Sequence, residues 1–218
     1  MFNLNRFLIL IHHIILFVSI YIYEWYGVLA FIISGIIFTR VIAEKILHLG
    51  ISHRHIKNHK ILDWVWAFFA VLLGQGSTIA WSTIHRLHHA YADTEKDPLS
   101  PFHNPPWKIW LGLLKKESDV SMVVKDLIRS PAHIFTHRYY DYLHIILCLF
   151  LFLINPIIIL LIVSPGIVYS FHFLGAINTL SHMYGEKIEG VAGRNNIWVD
   201  IFALMQGTHA SHHANPNP

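Results

Sequence analysis

WSTIHRLHHAYADTEKDPLSP, residues 81–101, is the stretch around which this chain is organised. It places His85, His88 and His89 at helical spacing, where positions i, i+3 and i+4 share one face, so three imidazoles point into one small volume. Neutral imidazoles are good ligands for transition metals, and three of them together are costly to bury for packing alone. The stretch therefore predicts a metal site on a helix.

Further histidine groups stand on both sides of this stretch. HASHH at 209–213 repeats the pattern, His48 and His53 have H-x4-H spacing, and Asn178 and His182 lie four residues apart on one helical face. Nine imidazoles suit two metals with four or five ligands each, and an open, histidine-rich site that activates dioxygen indicates iron, with zinc or copper as alternatives. The candidate ligands are His48, His53, His85, His88, His89, His182, His209, His212 and His213, together with the amide of Asn178.

Other histidines allow different interpretations. His55 and His59 form a competing H-x3-H pair that could bind metal in place of His48 and His53. The single cysteine, Cys148, predicts neither a disulfide framework nor a cysteine metal site, so the ligands should be nitrogen and oxygen. Four histidines within apolar stretches are predicted to be hydrogen-bonded packing or interface residues: His12, His13, His144 and His172.

The composition is that of an integral membrane protein. Of 218 residues, 54% are hydrophobic and only 13% are charged, and the mean hydropathy is +0.47. The formal net charge of +3 does not indicate a nucleic-acid partner, because basic residues of membrane proteins usually mark cytoplasmic loops. We therefore predict that the protein lies in a lipid bilayer and binds no nucleic acid.

The apolar stretches predict an all-α fold with four transmembrane helices in two hairpins. A spanning helix needs about 20 apolar residues, and polar or helix-breaking residues at Glu24–Gly27 and Ser164–Gly166 mark the turns. The first span lacks a small-residue cleavage site and is predicted to stay as an anchor. The predicted spans are approximately residues 6–23, 28–48, 142–163 and 166–184.

The remaining residues, 49–141 and 185–218, are predicted to form a histidine-rich helical cap within one domain, 1–218. Within the cap, residues 64–80 are expected to form a helix at the membrane surface or beneath the metal site. Neither presumed far-side turn contains Lys or Arg, whereas the cap contains many, which predicts cytoplasmic termini and a cytoplasmic site.

Four segments resemble the membrane fatty acid desaturases, with the stearoyl-CoA (acyl-CoA Δ9) desaturases as the most similar group. The resemblance covers approximately residues 40–216 and implies a di-iron enzyme in which the nine histidines bind two Fe²⁺ ions. It also implies that Asn178 reaches one iron through water. The segments are HLGISHR at 48–54, HRLHHAYADTEKDPLSP at 85–101, NTLSHMYG at 178–185 and NNIWVDIFALMQGTHASHHANP at 195–216.

The resemblance further implies an activity. Such enzymes use dioxygen and two electrons to remove two hydrogens from a saturated acyl chain, which leaves a cis double bond, here expected at Δ9. The implied partners are a long-chain acyl substrate on CoA, acyl carrier protein or lipid, and a ferredoxin or cytochrome b5 type electron donor. The bacterial inner membrane or endoplasmic reticulum is the implied location.

Two alternatives to desaturation remain open from the sequence. A di-iron hydroxylase or decarboxylase would use the same metal ligands. A histidine-rich metal transporter or sensor would instead spread its histidines and carboxylates through the spans, whereas here most of them gather at one membrane face.

Three carboxylates are candidates for orienting the histidines. Glu44 precedes His48 by one helical turn and is expected to hold its ring or to be an interfacial charge. Asp93 and Asp97 either hold the central histidines or cap the end of their helix.

Substrate contacts are predicted for three apolar side chains. Trp81 precedes His85 by four residues and is expected either to line an acyl tunnel or to be an ordinary buried aromatic. Ile32 and Ile36 lie three to four turns before His48 and are predicted to form the tunnel floor that limits chain length.

Overall fold

A computed structural model describes residues 4–57, 59–114, 122–203 and 208–215 of the chain, and the regular elements in these ranges are helices. Wide π turns occupy Phe38–Ser52 within the second helix and Ile159–Val163 within the eighth. The helices are α1 Leu4–Tyr23, α2 Trp25–Ser52, α3 Lys60–Leu73, α4 Thr78–Tyr91, α5 Pro106–Trp110, α6 Pro131–Arg138, α7 Tyr140–Ile154, α8 Pro156–Met183, α9 Ile197–Ala203 and α10 His209–Ala214.

Three of the described helices are long and apolar enough to cross a bilayer individually. They are α1 with 20 residues and α2 and α8 with 28 residues each. Two bent pairs pass the same test together, α3 with α4 at 83° and α6 with α7 at 84°. The described part of the chain therefore contains three candidate spans, or up to five.

The structure confirms the first predicted turn, at Glu24–Gly27. Glu24 separates α1 from α2 and takes a left-handed backbone conformation with φ 50°. The helices then pack so closely that a Cβ on Gly27 would lie 2.8 Å from the Cα of Ile20. α2 continues to Ser52, four residues beyond its predicted end at His48.

The second predicted turn, at Ser164–Gly166, is wrong, because α7 ends at Ile154 and α8 begins at Pro156. Asn155 supplies the cap by accepting a hydrogen bond from the Ile157 N–H at 3.0 Å, and a proline is favourable at the first helical position. The predicted spans 142–163 and 166–184 are thus helices 140–154 and 156–183.

Ser164 and Pro165 lie inside α8 because the structure compensates for the proline. The Leu161 carbonyl, four residues before Pro165, cannot receive a proline N–H, and it accepts a hydrogen bond from Ser34 Oγ of α2 at 2.9 Å. The π turn immediately before Pro165 widens the helix where the ring would otherwise clash.

The helix predicted over residues 64–80 is broken in the structure. Gly74 ends α3 in the left-handed conformation, with φ 74°, and Ser77 starts α4 by accepting a hydrogen bond from the Ala80 N–H at 3.2 Å. The 83° bend lets α3 pack against α2 while α4 carries its histidines to the end of α2.

The helices share one apolar core, and many large side chains face outward. Leu47 of α2, Leu73 of α3 and Ile167 of α8 are fully buried, whereas Phe17 and Leu153 are exposed on α1 and α7. Exposed apolar surface on long helices is what a lipid environment requires.

Candidate metal centre

Five histidines form the first cluster, and their ligand atoms all lie within 4.8 Å of one another. The π turn at the end of α2 brings His48 and His53 onto one face, because the His53 N–H donates to the His48 carbonyl, five residues earlier, at 3.0 Å. The members of this first cluster are His48, His53, His85, His89 and His212.

Short separations between Nε2 atoms run through the first cluster. His48 Nε2 lies 2.9 Å from His212 Nε2 and 3.1 Å from His53 Nε2. His85 Nε2 lies 2.9 Å from His53 Nε2, and His89 Nε2 lies 3.2 Å from His212 Nε2. The imidazoles therefore present their free edges to one point.

Four more histidines, His88, His182, His209 and His213, form the second cluster. His182 Nε2 lies 2.8 Å from His209 Nε2, while His213 Nε2 lies 3.2 Å from both His209 and His88. His88 and His182 are fully buried. All nine histidines expected from the sequence are thus brought together in two groups.

The two HxxHH motifs each divide between the clusters. On α4, His85 and His89 join the first cluster and His88 joins the second. On α10 the division is reversed, because His209 and His213 join the second cluster and His212 joins the first. Residues i and i+4 share a face, so each helix sends an aligned pair to one cluster and one side chain to the other.

Carboxylates orient one ring of the first cluster and two of the second. His48 Nδ1 donates to Glu44 at 2.7 Å, and His88 Nδ1 donates to Asp97 at 2.9 Å. Asp93 accepts from His182 Nδ1 at 2.8 Å and thus holds a histidine of α8 instead of the central helix. A ring that donates through Nδ1 keeps the Nε2 lone pair for a metal.

Burial lowers the pKa of several clustered imidazoles and so favours their neutral, metal-binding form. Burial and then the neighbouring imidazoles lower the pKa of His53 to about 3 and that of His213 to about 2. Burial likewise lowers the pKa of His212 to about 4. Converging nitrogens, three of them in rings whose tautomer a carboxylate fixes, fit two transition-metal ions.

The competing histidine pair lies outside both clusters. His55 is exposed, and His59 caps α3 by accepting a hydrogen bond from the Ile61 N–H at 3.4 Å. The structure therefore favours His48 and His53 over His55 and His59 as ligands.

The sequence matches a known protein family over most of its length. The profile of the family described as fatty acid desaturase matches residues 23–217. A probable chloroplastic lipid desaturase of Arabidopsis thaliana is 31% identical over 180 residues, which are 77% of this chain and 48% of that protein.

The chain belongs to the fatty acid desaturase family. An sn-1 stearoyl-lipid 9-desaturase of Anabaena variabilis is 28% identical over 77% of the chain and 64% of its own length. An icosanoyl-CoA 5-desaturase of Limnanthes douglasii is 26% identical over 96% of the chain and 62% of its own length. This desaturase-family chain thus spans less than two thirds of each of these relatives.

A cavity of about 840 Å³ opens beside the first cluster of this desaturase-family chain. Trp81 lines it and stacks on His85, with ring centroids 5.3 Å apart. Asn178, on the same face of α8 as His182, also lines the cavity. A cavity that reaches the histidines and is lined mostly by apolar surface is suited to holding a long, apolar substrate.

The two residues predicted to form the tunnel floor, Ile32 and Ile36, lie outside the lining of this cavity. Ile32 is 44% exposed. The cavity meets α2 at Thr39 and Ala43 instead. Earlier in α2, the helix packs against α8 so closely that a Cβ on Gly35 would overlap the Tyr169 ring.

Arg86 is a positioning residue that the sequence interpretation missed. Its guanidinium donates to the Ile51 and Ser52 carbonyls at 2.9 and 2.8 Å and to both carboxylate oxygens of Asp126 at 2.6 and 2.8 Å. Arg86 therefore joins α4 to the end of α2, next to His53. A charged residue inside an otherwise histidine-rich, half-buried helix was the available signal.

The pKa of Asp126 follows from this contact. Burial alone would raise it, but hydrogen bonds from Arg86 and then Arg54 outweigh burial and lower the pKa to about 2. The carboxylate is therefore ionised and paired at neutral pH.

Glu44→Gln is expected to weaken metal binding in the first cluster by 10- to 100-fold, because a neutral amide orients and polarises His48 less than a carboxylate does. Iron titration against a chelator measures this change. Glu95→Gln, a change of the same kind on an exposed side chain, should leave the affinity unaltered. Equal affinities in the two variants would contradict a role for Glu44.

Proposed function

We propose that the chain is a di-iron, dioxygen-dependent fatty acyl desaturase that introduces a cis double bond, at Δ9, into a saturated long-chain acyl group. The observation that supports it most directly is the pair of histidine clusters beside one cavity. Two Fe²⁺ ions held there would supply the chemistry that couples dioxygen reduction to removal of two hydrogens.

The proposed ligands are the nine clustered histidines, with Asn178 acting through water. In this proposal Glu44, Asp93 and Asp97 fix the tautomers of three rings, and the buried second cluster excludes bulk water. Trp81 and the cavity walls hold the acyl chain extended beside His48 and His85.

An acyl-lipid is the substrate that we propose, with acyl-CoA and acyl carrier protein as the other carriers to test. Several relatives are named as acyl-lipid 9-desaturases. The 840 Å³ cavity is large enough for a lipid acyl chain. The electron donor is proposed to be a small protein of the ferredoxin or cytochrome b5 type.

For the membrane we propose four spans in two hairpins, α1 with α2 and α7 with α8, in one domain capped by the histidine-bearing helices. Neither break, at Glu24 or Asn155, is flanked by Lys or Arg. The positive-inside rule then puts both termini and the clusters on the cytoplasmic side, in a bacterial inner membrane or the endoplasmic reticulum.

Expression in a host that lacks its own desaturase tests the proposal. Fatty acid profiling by mass spectrometry should show a new monounsaturated product, and the purified protein should contain two iron ions per chain. A hydroxylated or shortened product would instead identify a hydroxylase or decarboxylase, and iron-loaded protein without any product would overturn the proposal.

Ala43→Leu is expected to shorten the preferred chain, because the larger side chain fills the cavity wall on α2. A few methylenes of lost space should lower kcat/KM for the longest accepted chain about 10-fold or more, with a smaller effect on shorter chains. Competition between substrates of different length measures the ratio. Ile36→Ala serves as the control and should leave it unchanged, because Ile36 lies outside the cavity lining.

A further inference from the structure

A third group of metal-binding side chains lies away from the two histidine clusters. His12 of α1, His144 of α7 and Cys148 of α7 have ligand atoms within 4.8 Å of one another. His12 and His144 are buried, and His144 and Cys148 share a face because they are four residues apart. None of the three lines the cavity beside the first cluster.

The hydrogen bonds around His144 prepare it as a ligand. Its Nδ1 donates to the Val71 carbonyl at 2.7 Å, so Nε2 carries the lone pair. That lone pair faces His12 Nε2 at 2.9 Å and Cys148 Sγ at 3.7 Å. Rings in the two clusters are oriented in the same way, with Nδ1 donating a hydrogen bond and Nε2 keeping its lone pair for a metal.

His12 can present a lone pair as well. Its Nδ1 lies 2.8 Å from Ser164 Oγ, and a hydroxyl can either donate to that nitrogen or accept from it. Without metal, His12 Nε2–H donates to His144, and with metal the ring proton moves to Nδ1 and is donated to Ser164. The serine therefore allows His12 to bind without leaving an unpaired proton.

The separations of His144 Nε2 from the other two ligand atoms suit a single ion. With bonds of about 2.0 Å to nitrogen and about 2.3 Å to sulfur, as for zinc, the observed 2.9 and 3.7 Å separations correspond to about 90° and about 120° at the metal. Two imidazoles and one thiolate in a trigonal arrangement are a known ligand set for copper.

We propose that His12, His144 and Cys148 bind one Cu(I) ion. A thiolate selects soft ions, and the charge of the site decides between Cu(I) and a divalent metal. Cu(I) with one thiolate and two neutral imidazoles has no net charge, whereas a divalent ion would leave a positive charge among apolar helices, where it is costly. Binding releases one proton, from the Cys148 thiol.

This proposal departs from the expectation from the sequence, which assigned no metal to a lone cysteine and only hydrogen bonds to His12 and His144. A nearby pair shows the contrast. His13 Nε2 and His172 Nε2 are 3.0 Å apart, but the outer nitrogens are bonded to the Ile9 carbonyl and Trp110 Nε1–H, and no thiol stands beside them. That pair fits a simple hydrogen-bonded chain.

Copper titration of the purified, iron-loaded full chain tests the proposal. Under anaerobic, reducing conditions and against a Cu(I) chelator, the parent chain should retain one copper ion per chain. X-ray absorption should show one sulfur and two nitrogen neighbours. Cys148→Ala, a small change at a half-buried position, should weaken retention about 100-fold or abolish it, and His13→Gln should have no effect.

Two controls distinguish loss of copper binding from loss of folding and from failure of the proposed function. Unchanged iron content in Cys148→Ala shows that the variant is folded, and the number of iron ions reports on the proposed function independently of copper. A parent chain that retains no copper, or equal retention by Cys148→Ala, would show that the group is only a hydrogen-bonded chain and would overturn the proposal.

Discussion

His182→Ala is expected to abolish desaturation and to lower bound iron from two ions per chain to about one. The substitution leaves the second cluster with three imidazoles and leaves the Asp93 carboxylate without the ring that it orients. Because loss of an orienting partner alone costs 10- to 100-fold in metal affinity, loss of a ligand should cost about 100-fold or more. Iron analysis and product profiling measure both effects.

His172→Ala is the matched control for this substitution. His172 lies on the same helix, ten residues earlier, but its contacts are with His13 and Trp110 outside both clusters. It should keep two iron ions and most of its activity. If His182→Ala also kept two iron ions, the second cluster would not be a metal site.

Arg86→Met should destabilise the protein by about 3 kcal/mol, because it leaves the partly buried Asp126 carboxylate without its main partner and three backbone carbonyls without their donor. It should also weaken iron binding in the first cluster, since Arg86 ties α4 to the end of α2 near His53. Thermal unfolding in detergent and iron titration measure the two effects.

Arg54→Gln provides the comparison on the same carboxylate. The Arg54 side chain is 61% exposed, against 11% for Arg86, and exposed ion pairs contribute little. Its effect on the unfolding temperature should be small. Similar losses in the two variants would mean that the charge of Asp126, and not the bridge made by Arg86, determines the stability.

The Arg86–Asp126 ion pair predicts that the stability of the fold depends on pH. The pKa of Asp126 is lowered from 3.8 to about 2 in the folded chain, so the pair contributes stability above pH 3.8 that is lost as the pH falls through 2. In Arg86→Met this pKa should rise, and the acid loss attributable to Asp126 should shrink. Unfolding midpoints measured from pH 6 to pH 2 would show the difference.

The sequence by itself determined what depends on neighbours along the chain. Apolar length predicted helices long enough to span a membrane, and the i, i+3 and i+4 spacings of His85, His88 and His89 placed those imidazoles on one helix. The order of the histidine motifs identified the family, which the comparison with known proteins confirmed. These features survive folding because they are properties of single helices.

Predictions made from neighbouring residues failed where a contact with a residue distant in the sequence changed the local structure. Pro165 was expected to end a helix, but Ser34 of α2 bonds the Leu161 carbonyl and the helix continues. Ile36 was expected to line the tunnel, but the cavity lining on α2 begins at Thr39, and Gly35 beside Ile36 packs against the Tyr169 ring of α8. Neither contact can be read from the residues adjoining the proline or the isoleucine.

Only the tertiary structure decided which imidazoles share a volume. It divided each HxxHH motif between two clusters and paired Asp93 with His182 through a hydrogen bond. It also brought His12 beside Cys148, more than 100 residues away in the sequence. The physical reason is that helical periodicity sets where a side chain points on its own helix, whereas the packing of the helices sets what it meets there.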